Sequence, residues 1–352
     1  MRVRMVDIAR DLHVSVVTVS KVVRNHADIS PQTRERVLKR MKELNYRPNL
    51  AARTLVTGRT YSMGLVVPDL VHPFFSEVAK GLSRVLRKRG YSLIISSSEE
   101  DPELERREID QLLARQVDAL LIASTQWTAE SFRRIEEQKT PYVLIDRRFA
   151  GLRANFVGVD DEEVGALATE HLIERGCRRI AHIRGPEIST GLGRLEGYRR
   201  ALARHGLTPL PGYLAAGKSV DDAGDHSGRQ AMRRLLQLDP KPDGVYCFND
   251  PTAMGAMTTI LEAGLRIPED IAVVGSGNVH YSSFLRVPLS SVDQNSAAMG
   301  ERAAKLALTL VEAKNPPRPR TVLLQPKLVV RASSQRTADR GTERAPAAAA
   351  QT

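Results

Sequence analysis

The chain has 352 residues, 42% hydrophobic and 26% charged, which is too long for one ordinary domain and apolar enough for sizeable cores. No stretch approaches the ~20 apolar residues that span a bilayer, Asp7 and Asp11 break the apolar run a secretory leader needs, and Cys177 and Cys247 form neither a metal spacing nor a disulfide framework. The net charge of +11 is uneven: residues 1–60 hold thirteen Lys and Arg against five acids, a balance of +8, and the remainder carries only +3. The expectation is a cytoplasmic protein with buried thiols, no membrane, no metal and no cofactor, whose basic head suits a polyanion. A merely solvated basic face would have the same composition.

Residues 5–45 read as three short helices. Ile8, Ala9 and Leu12 share one face of the first, at about Val6–Leu12. Ser15 caps a second, from Val16 to about Arg24, with Val19, Val22 and Val23 turned inward. Ser30-Pro31, a capping residue followed by proline at the first helical position, opens a third that runs to about Asn45 through Val37, Met41 and Leu44. Three helices in forty residues, with a three-residue turn between the first two, form a helix-turn-helix pattern. Residues 46–60 form a connector in which Pro48 stops the third helix and Asn49 caps a short one through about Val56. Helices below ~12 residues are marginal alone in water, so this one needs a partner.

From Ser62 apolar strands alternate with amphipathic helices. Strand-like runs fall at 63–70, 92–98, 119–125, 142–147 and 156–160, then, after a helix at about 162–175, at 179–185, 244–250, 271–278 and 289–294. This alternation gives an α/β class of parallel sheets wrapped by helices. Two such series imply two lobes with a cleft at the carboxyl ends of the strands. The domains are read as 1–45, 46–60 and 61–335, with one lobe at about 61–161 and 291–324 and the other at about 162–290 and 325–335. The tail from about Ser333, rich in Ala, Arg, Thr and Pro, has no periodicity, and residues 336–352 are expected to be disordered.

The stretch VDIARDLHVSVVTVSKVVRNHADISPQTRERVLKRMKELNYRPNLAARTL closely resembles the lactose/galactose-repressor family of transcriptional regulators. V-S-x-x-T-V-S-[RK]-V, T-R-x-x-V and N-Y-x-P-N in this order are highly specific. The alternating domain behind it resembles the family's two-lobed, periplasmic-binding-protein-like core, so the likeness covers residues 3 to about 335. It implies a sequence-specific DNA-binding regulator, a repressor, whose operator affinity is set by a small effector, a carbohydrate or its metabolite.

The resemblance assigns DNA contacts to Met5, Ser15, Val16, Val17, Thr18, Ser20, Lys21, Ser30 and Thr33, and to Asn49, Ala52, Arg53 and Leu55 in the connector. The second helix enters the major groove. There Lys21 can donate to guanine, whereas Val16 and Val17 can only touch apolar surface such as thymine methyls. The hydroxyls bond phosphates and set register; Ser15 and Ser30 cap helices as well. Leu55 is assigned a wedge between central base pairs of the minor groove. His13 departs from the family's usual glycine, at a turn that wants positive φ, a conformation histidine tolerates better than most residues.

For the effector the resemblance points to Phe74, Phe75, Asp146, Arg147, Asp160, Thr190, Arg194, Asn249 and Gln294, placed at or just beyond strand ends. Ordinary core packing explains either phenylalanine as well. Gly277, in Gly275-Ser276-Gly277-Asn278, stands where many members carry an aspartate, and an arginine that reads purine is missing from GPEISTG. Purine is therefore disfavoured, and a sugar must be held differently. Residues 217–228 find no counterpart. The chain has no phosphate loop, nucleophile elbow or metal-type spacing, so it is not read as an enzyme. The alternative is a solute-binding receptor with no DNA role, against which residues 1–60 argue. The implied partners are double-stranded DNA with a near-palindromic operator, the effector, and a second copy in a homodimer.

Overall fold

The computed structural model describes residues 3–23, 26–46, 54, 57–126, 128–149, 151–216, 225–315 and 317–336. The chain divides into two compact units, Met1–Tyr61 and Ser62–Thr352.

In the first unit, helices α1 (Met5–Leu12), α2 (Val16–Val23) and α3 (Pro31–Glu43) pack around Ile8, Ala9, Val19, Val22 and Val37. Met5, Leu12, Met41 and Leu44 close the edges of this core, and Val23 is half-buried. The turn between α1 and α2 is made by His13 in the left-handed region (φ 53°, ψ 43°), which lets the Val14 N–H reach back to the Ala9 carbonyl at 3.0 Å. The side chain of Arg40 then ties α3 to α1 through Asp11.

The second unit holds two six-stranded sheets. The first uses β1 (Ser62–Val67), β2 (Ser92–Ser97), β3 (Ala119–Ile122), β4 (Tyr142–Ile145), β5 (Asn155–Val159) and β11 (Thr321–Leu324), in the order β11-β5-β4-β3-β1-β2. The second uses β6 (Ile180–Arg184), β7 (Leu214–Ala216), β8 (Gly244–Cys247), β9 (Ala272–Ser276), β10 (Ser290–Asp293) and β12 (Lys327–Val329), in the order β12-β10-β9-β8-β6-β7. All neighbours run parallel except β10 and β12. The unbroken apolar runs of β1, β3, β4 and β8 follow from helices covering both sheet faces.

The helices are α4 (Pro73–Lys88), α5 (Pro102–Ala114), α6 (Arg133–Glu137), α7 (Asp161–Glu174), α8 (Ser189–Arg204), α9 (His226–Leu235), α10 (Asp250–Glu262) and α11 (Ser296–Glu312). Two of them meet backbone to backbone: a Cβ on Gly165 of α7 would lie 2.1 Å from the Arg194 carbonyl oxygen of α8, and one on Gly197 of α8 would lie 1.9 Å from that of Glu162. The same reciprocal contact joins α4 to α11 through Gly81 and Gly300, and α9 to α10 through Gly228 and Gly255.

The chain crosses between lobes three times: from β5 into α7, from β10 into α11, and from β11 into β12. The second crossing comes a few residues later than the sequence reading placed it, because the whole of β10, from Ser290 on, is hydrogen-bonded to β9. Order at the end of the chain also extends past Ser333. That hydroxyl donates to the Val273 carbonyl, and Ser334 bonds His171 at 2.7 Å, both buried. Residues 337–352 and 217–224 lie outside the described residues.

Candidate DNA-reading surface and ligand cleft

In α2 the two outward valines, Val16 and Val17, are 42% and 61% exposed, a large apolar surface to leave in water on a unit this small. The Lys21 ammonium ends the same exposed helix and pairs with Asp28, whose carboxyl it draws below its usual range. Ser15 accepts from the Thr18 N–H at 3.0 Å, and Ser30 from the Thr33 N–H at 3.2 Å, so both serines cap helices as expected. Thr18 and Thr33 also bond these hydroxyls at 2.9 Å, and Ser20 is half-buried. Met5 opens α1, half-buried against the core. Asn49, Ala52, Arg53 and Leu55 lie outside the described residues.

In the second unit, loops from the carboxyl ends of both sheets meet over a cavity that leaves about 90 Å³ for the centres of water-sized spheres, well above the ~10–15 Å³ that one water needs. Of the expected residues, Phe74, Phe75, Asp146, Arg147, Thr190, Arg194, Asn249 and Gln294 line it. Phe74 and Phe75 start α4 edge to face, with ring centroids 5.1 Å apart. Asp160 does not line it. Exposed at the N-cap of α7, it accepts from the N–H groups of Glu162 and Glu163 at 3.1 and 3.2 Å, because a helix start leaves those donors free.

Its neighbour Asp161 has the buried role. It accepts from Arg194 Nε at 2.9 Å, while the other guanidinium nitrogens donate to the Phe248 carbonyl at 2.8 Å and to Gln294 at 3.0 Å. The guanidinium also lies 4.6 Å over the Phe248 ring. Burial pushes the Asp161 carboxyl up to about 7, against the pull of Arg194. Because Asp161 follows β5 and Gln294 follows β10, Arg194 grips two of the three crossings.

On the opposite wall, Arg147 forms a two-pronged pair with Glu100 and donates to the Ser124 carbonyl at 3.3 Å. Ser124 and Thr125 are in turn held by the fully buried Glu105, to which the Ser124 hydroxyl donates at 2.6 Å. Asp146 Oδ1 and Arg147 Nε are buried without a hydrogen-bond partner among the described residues. Burial raises the Asp146 carboxyl, opposed by Arg194 and Arg147.

Sequence reasoning missed His72, Glu100, Arg184 and Phe248, which also line the cavity. The HPFF segment held the signal for His72, a residue able to cap the helix that Pro73 starts. Its Nδ1 accepts from the Phe74 N–H at 3.3 Å, and its Nε2 faces Asn249 Nδ2 across the cleft at 3.3 Å. Burial, helped by Arg147 and Arg194, holds its pKa down at about 4, so the ring is neutral. Gly277 lines the cavity at φ +126°, a backbone that L side chains rarely adopt, so the aspartate of other members has no relaxed position there.

A basic helix-turn-helix unit joined to a two-lobed core with a polar, aromatic-walled cleft defines a DNA-binding transcriptional regulator with a ligand-sensing body. Residues 4–49 match the bacterial regulatory proteins of the lacI family, and residues 169–334 match the periplasmic binding protein-like domain. The HTH-type transcriptional repressor PurR of Haemophilus influenzae (strain PittEE) is 32% identical over 313 residues, covering 88% of this chain and 91% of that one. Catabolite control protein A of Priestia megaterium is 31% identical over 308 residues, covering 87% and 92%. Among solved structures, the lac repressor dimer bound to operator and the anti-inducer ONPF superposes with a TM-score of 0.81 at 27% identity, covering 95% of this chain and 99% of that one. The transcriptional regulator CelR–cellobiose complex gives 0.71 at 31% identity, covering 94% and 100%. The chain belongs to the lacI family. A solute receptor without a DNA role finds no support among these relatives. Among the described residues no helix is long and apolar enough to cross a membrane.

Proposed function

We propose that the protein is a homodimeric repressor in the cytoplasm, binding a near-palindromic operator under control of a carbohydrate or carbohydrate-derived effector held in the cleft. The observation that carries the reading is that a basic N-terminal unit with the valines of α2 exposed occurs in one chain with a cleft whose two walls belong to different lobes. Val16, Val17 and Lys21 face base edges in the major groove, and the capping hydroxyls bond phosphates to fix register. Dimerisation supplies the second half-site, since one small unit of this kind buries little DNA surface.

Effector binding alters the angle between lobes and with it the separation of the two connector segments, a coupling of ~1–3 kcal/mol if typical of allostery. Support for the control step comes from Arg194, which touches both the cavity and two of the three crossings. The sugar complex of CelR and the operator complex of the lac repressor point the same way. Retention of promoter fragments by the full chain, compared with a chain starting near Thr60, tests the DNA role; equal retention refutes it. Leu55→Ala is expected to weaken operator binding far more than binding to bulk DNA, and equal losses remove the wedge role.

A further inference from the structure

Every buried cation on the cleft wall is already matched. Arg147 holds Glu100 with two nitrogens and sits beside Glu105, and Arg194 holds Asp161. With Asp146, which faces both arginines, two buried carboxyls (Glu105 and Asp146) and two half-buried ones (Glu100 and Asp161) surround two guanidinium groups. His72 adds no charge, since burial keeps its ring neutral. A carboxylate or phosphate entering here would have to break a bidentate pair or be buried among carboxyls whose own ionisation burial already opposes, and both are costly in a low dielectric. Arg184 is the remaining lining arginine. It is 30% exposed at the rim and paired with the exposed Glu187 at 3.1 Å, where solvent and salt screen it.

The unfilled hydrogen-bonding groups on the same walls ask for neutral partners. Asp146 Oδ1 needs a donor and Arg147 Nε needs an acceptor, and these belong to adjacent residues. Across the cleft two donors confront each other. Asn249 Oδ1 accepts from the Thr252 N–H at 2.9 Å, which turns its amide nitrogen toward His72. The His72 Nδ1 accepts from Phe74, which leaves the ring hydrogen on Nε2. An acceptor oxygen shared by these two donors would join the lobes. A hydroxyl is both donor and acceptor, and a set of them satisfies all four groups without net charge.

We propose that the cleft selects an uncharged polyhydroxylated ligand and discriminates against acid and phosphorylated forms of the same carbon skeleton. This rests on the effector reading above and narrows it. The test measures binding to the full-length protein by calorimetry and thermal shift, at millimolar concentrations. The probes are matched sets: glucose, glucuronate and glucose 6-phosphate; galactose, galacturonate and galactose 6-phosphate; ribose and ribose 5-phosphate; cellobiose and cellobionate.

In the set that binds, the neutral member is expected to bind at least about tenfold tighter than each acid or phosphorylated partner, a difference of ~1.4 kcal/mol. Glu100→Gln, which removes the bidentate partner of Arg147, is expected to narrow that ratio in favour of the acid and the phosphate. An acid or phosphorylated member that equals or beats its neutral counterpart overturns the proposal, as does a panel in which nothing binds. The wild-type ratio decides the matter if the Glu100 variant does not fold. Operator retention is measured alongside. A tightly bound acid or phosphorylated ligand that changes retention overturns only the neutrality, and a tightly bound neutral ligand with no effect on retention overturns only the regulatory reading.

Discussion

Asp250 is fully buried at the start of α10, next to the cleft residue Asn249. One oxygen accepts from the Ser291 hydroxyl at 2.6 Å, and the other from the Val279 N–H and the Ser282 hydroxyl, both at 2.8 Å. These bonds anchor the segment just after Gly277, so they hold the floor of the cavity. Asp250→Asn keeps one acceptor oxygen for Val279 and Ser282, and the Ser291 hydroxyl can rotate to accept from the amide. It also removes a charge that burial disfavours, burial being what pushes this carboxyl up. The expected cost is at most ~1.5 kcal/mol, the loss of charge assistance in three bonds partly offset by desolvation. Asp250→Ala strands the Val279 N–H, which cannot turn away, and leaves a void; an orphaned donor costs ~1–3 kcal/mol and a void adds to it, giving about 3–5 kcal/mol in all. At ~2–4 °C per kcal/mol for a core of this size, Tm falls on the order of 10 °C for alanine and a few degrees for asparagine. Thermal unfolding followed by circular dichroism reads both. Equal losses for the two variants would refute the claim that hydrogen-bond acceptance, not mere bulk, is what Asp250 supplies.

His13→Gly is expected to be neutral or stabilising, because glycine occupies the left-handed turn conformation without strain; a loss above ~1 kcal/mol in denaturant unfolding counts against that geometry. Gly165→Ala puts a methyl 2.1 Å from the Arg194 carbonyl and forces α7 from α8, at about 2–4 kcal/mol, beyond ordinary overpacking because backbone must move; an unchanged Tm would show the helices have slack. His182, fully buried between Tyr198 and Tyr246 with its pKa pushed down to about 4, stays neutral in the folded state, whereas the unfolded residue titrates near 6.5. Its contribution is intact above pH 6.5 and is lost as pH falls toward 4, on the order of 3 kcal/mol at ~1.4 kcal/mol per unit. The stability difference between wild type and His182→Asn should therefore shrink across that window, and a pH-independent difference contradicts the assignment.

The first unit was legible because its signals are local: a capping serine, a proline at the first helical turn and valines at helical spacing all lie within one helix of the contacts they make. The strands with unbroken apolar runs were legible for the same reason. β7, β11 and β12 were not read from the chain, since each is only three or four residues long and shows no fully buried run. At the cleft, the family resemblance pointed to eight residues that line the cavity, and the ninth, Asp160, missed by one position because a helix cap and a buried ion pair both call for a carboxylate there. Glu100 left no mark in the sequence that set it apart from Glu99 and Asp101. Its importance comes from Arg147, 47 positions away, and only folding brings them together.

The three glycine-locked helix pairs have a mechanical meaning. Where backbone touches backbone there are no long side chains to slide or re-pack, so neither lobe has much capacity to absorb a displacement within itself. Helices locked this closely favour passing a push at the cleft on to the connections that join the lobes, as a crank passes on torque only if its arm does not bend. Softening one of those seams should blunt signalling even where ligand and DNA contacts are left intact.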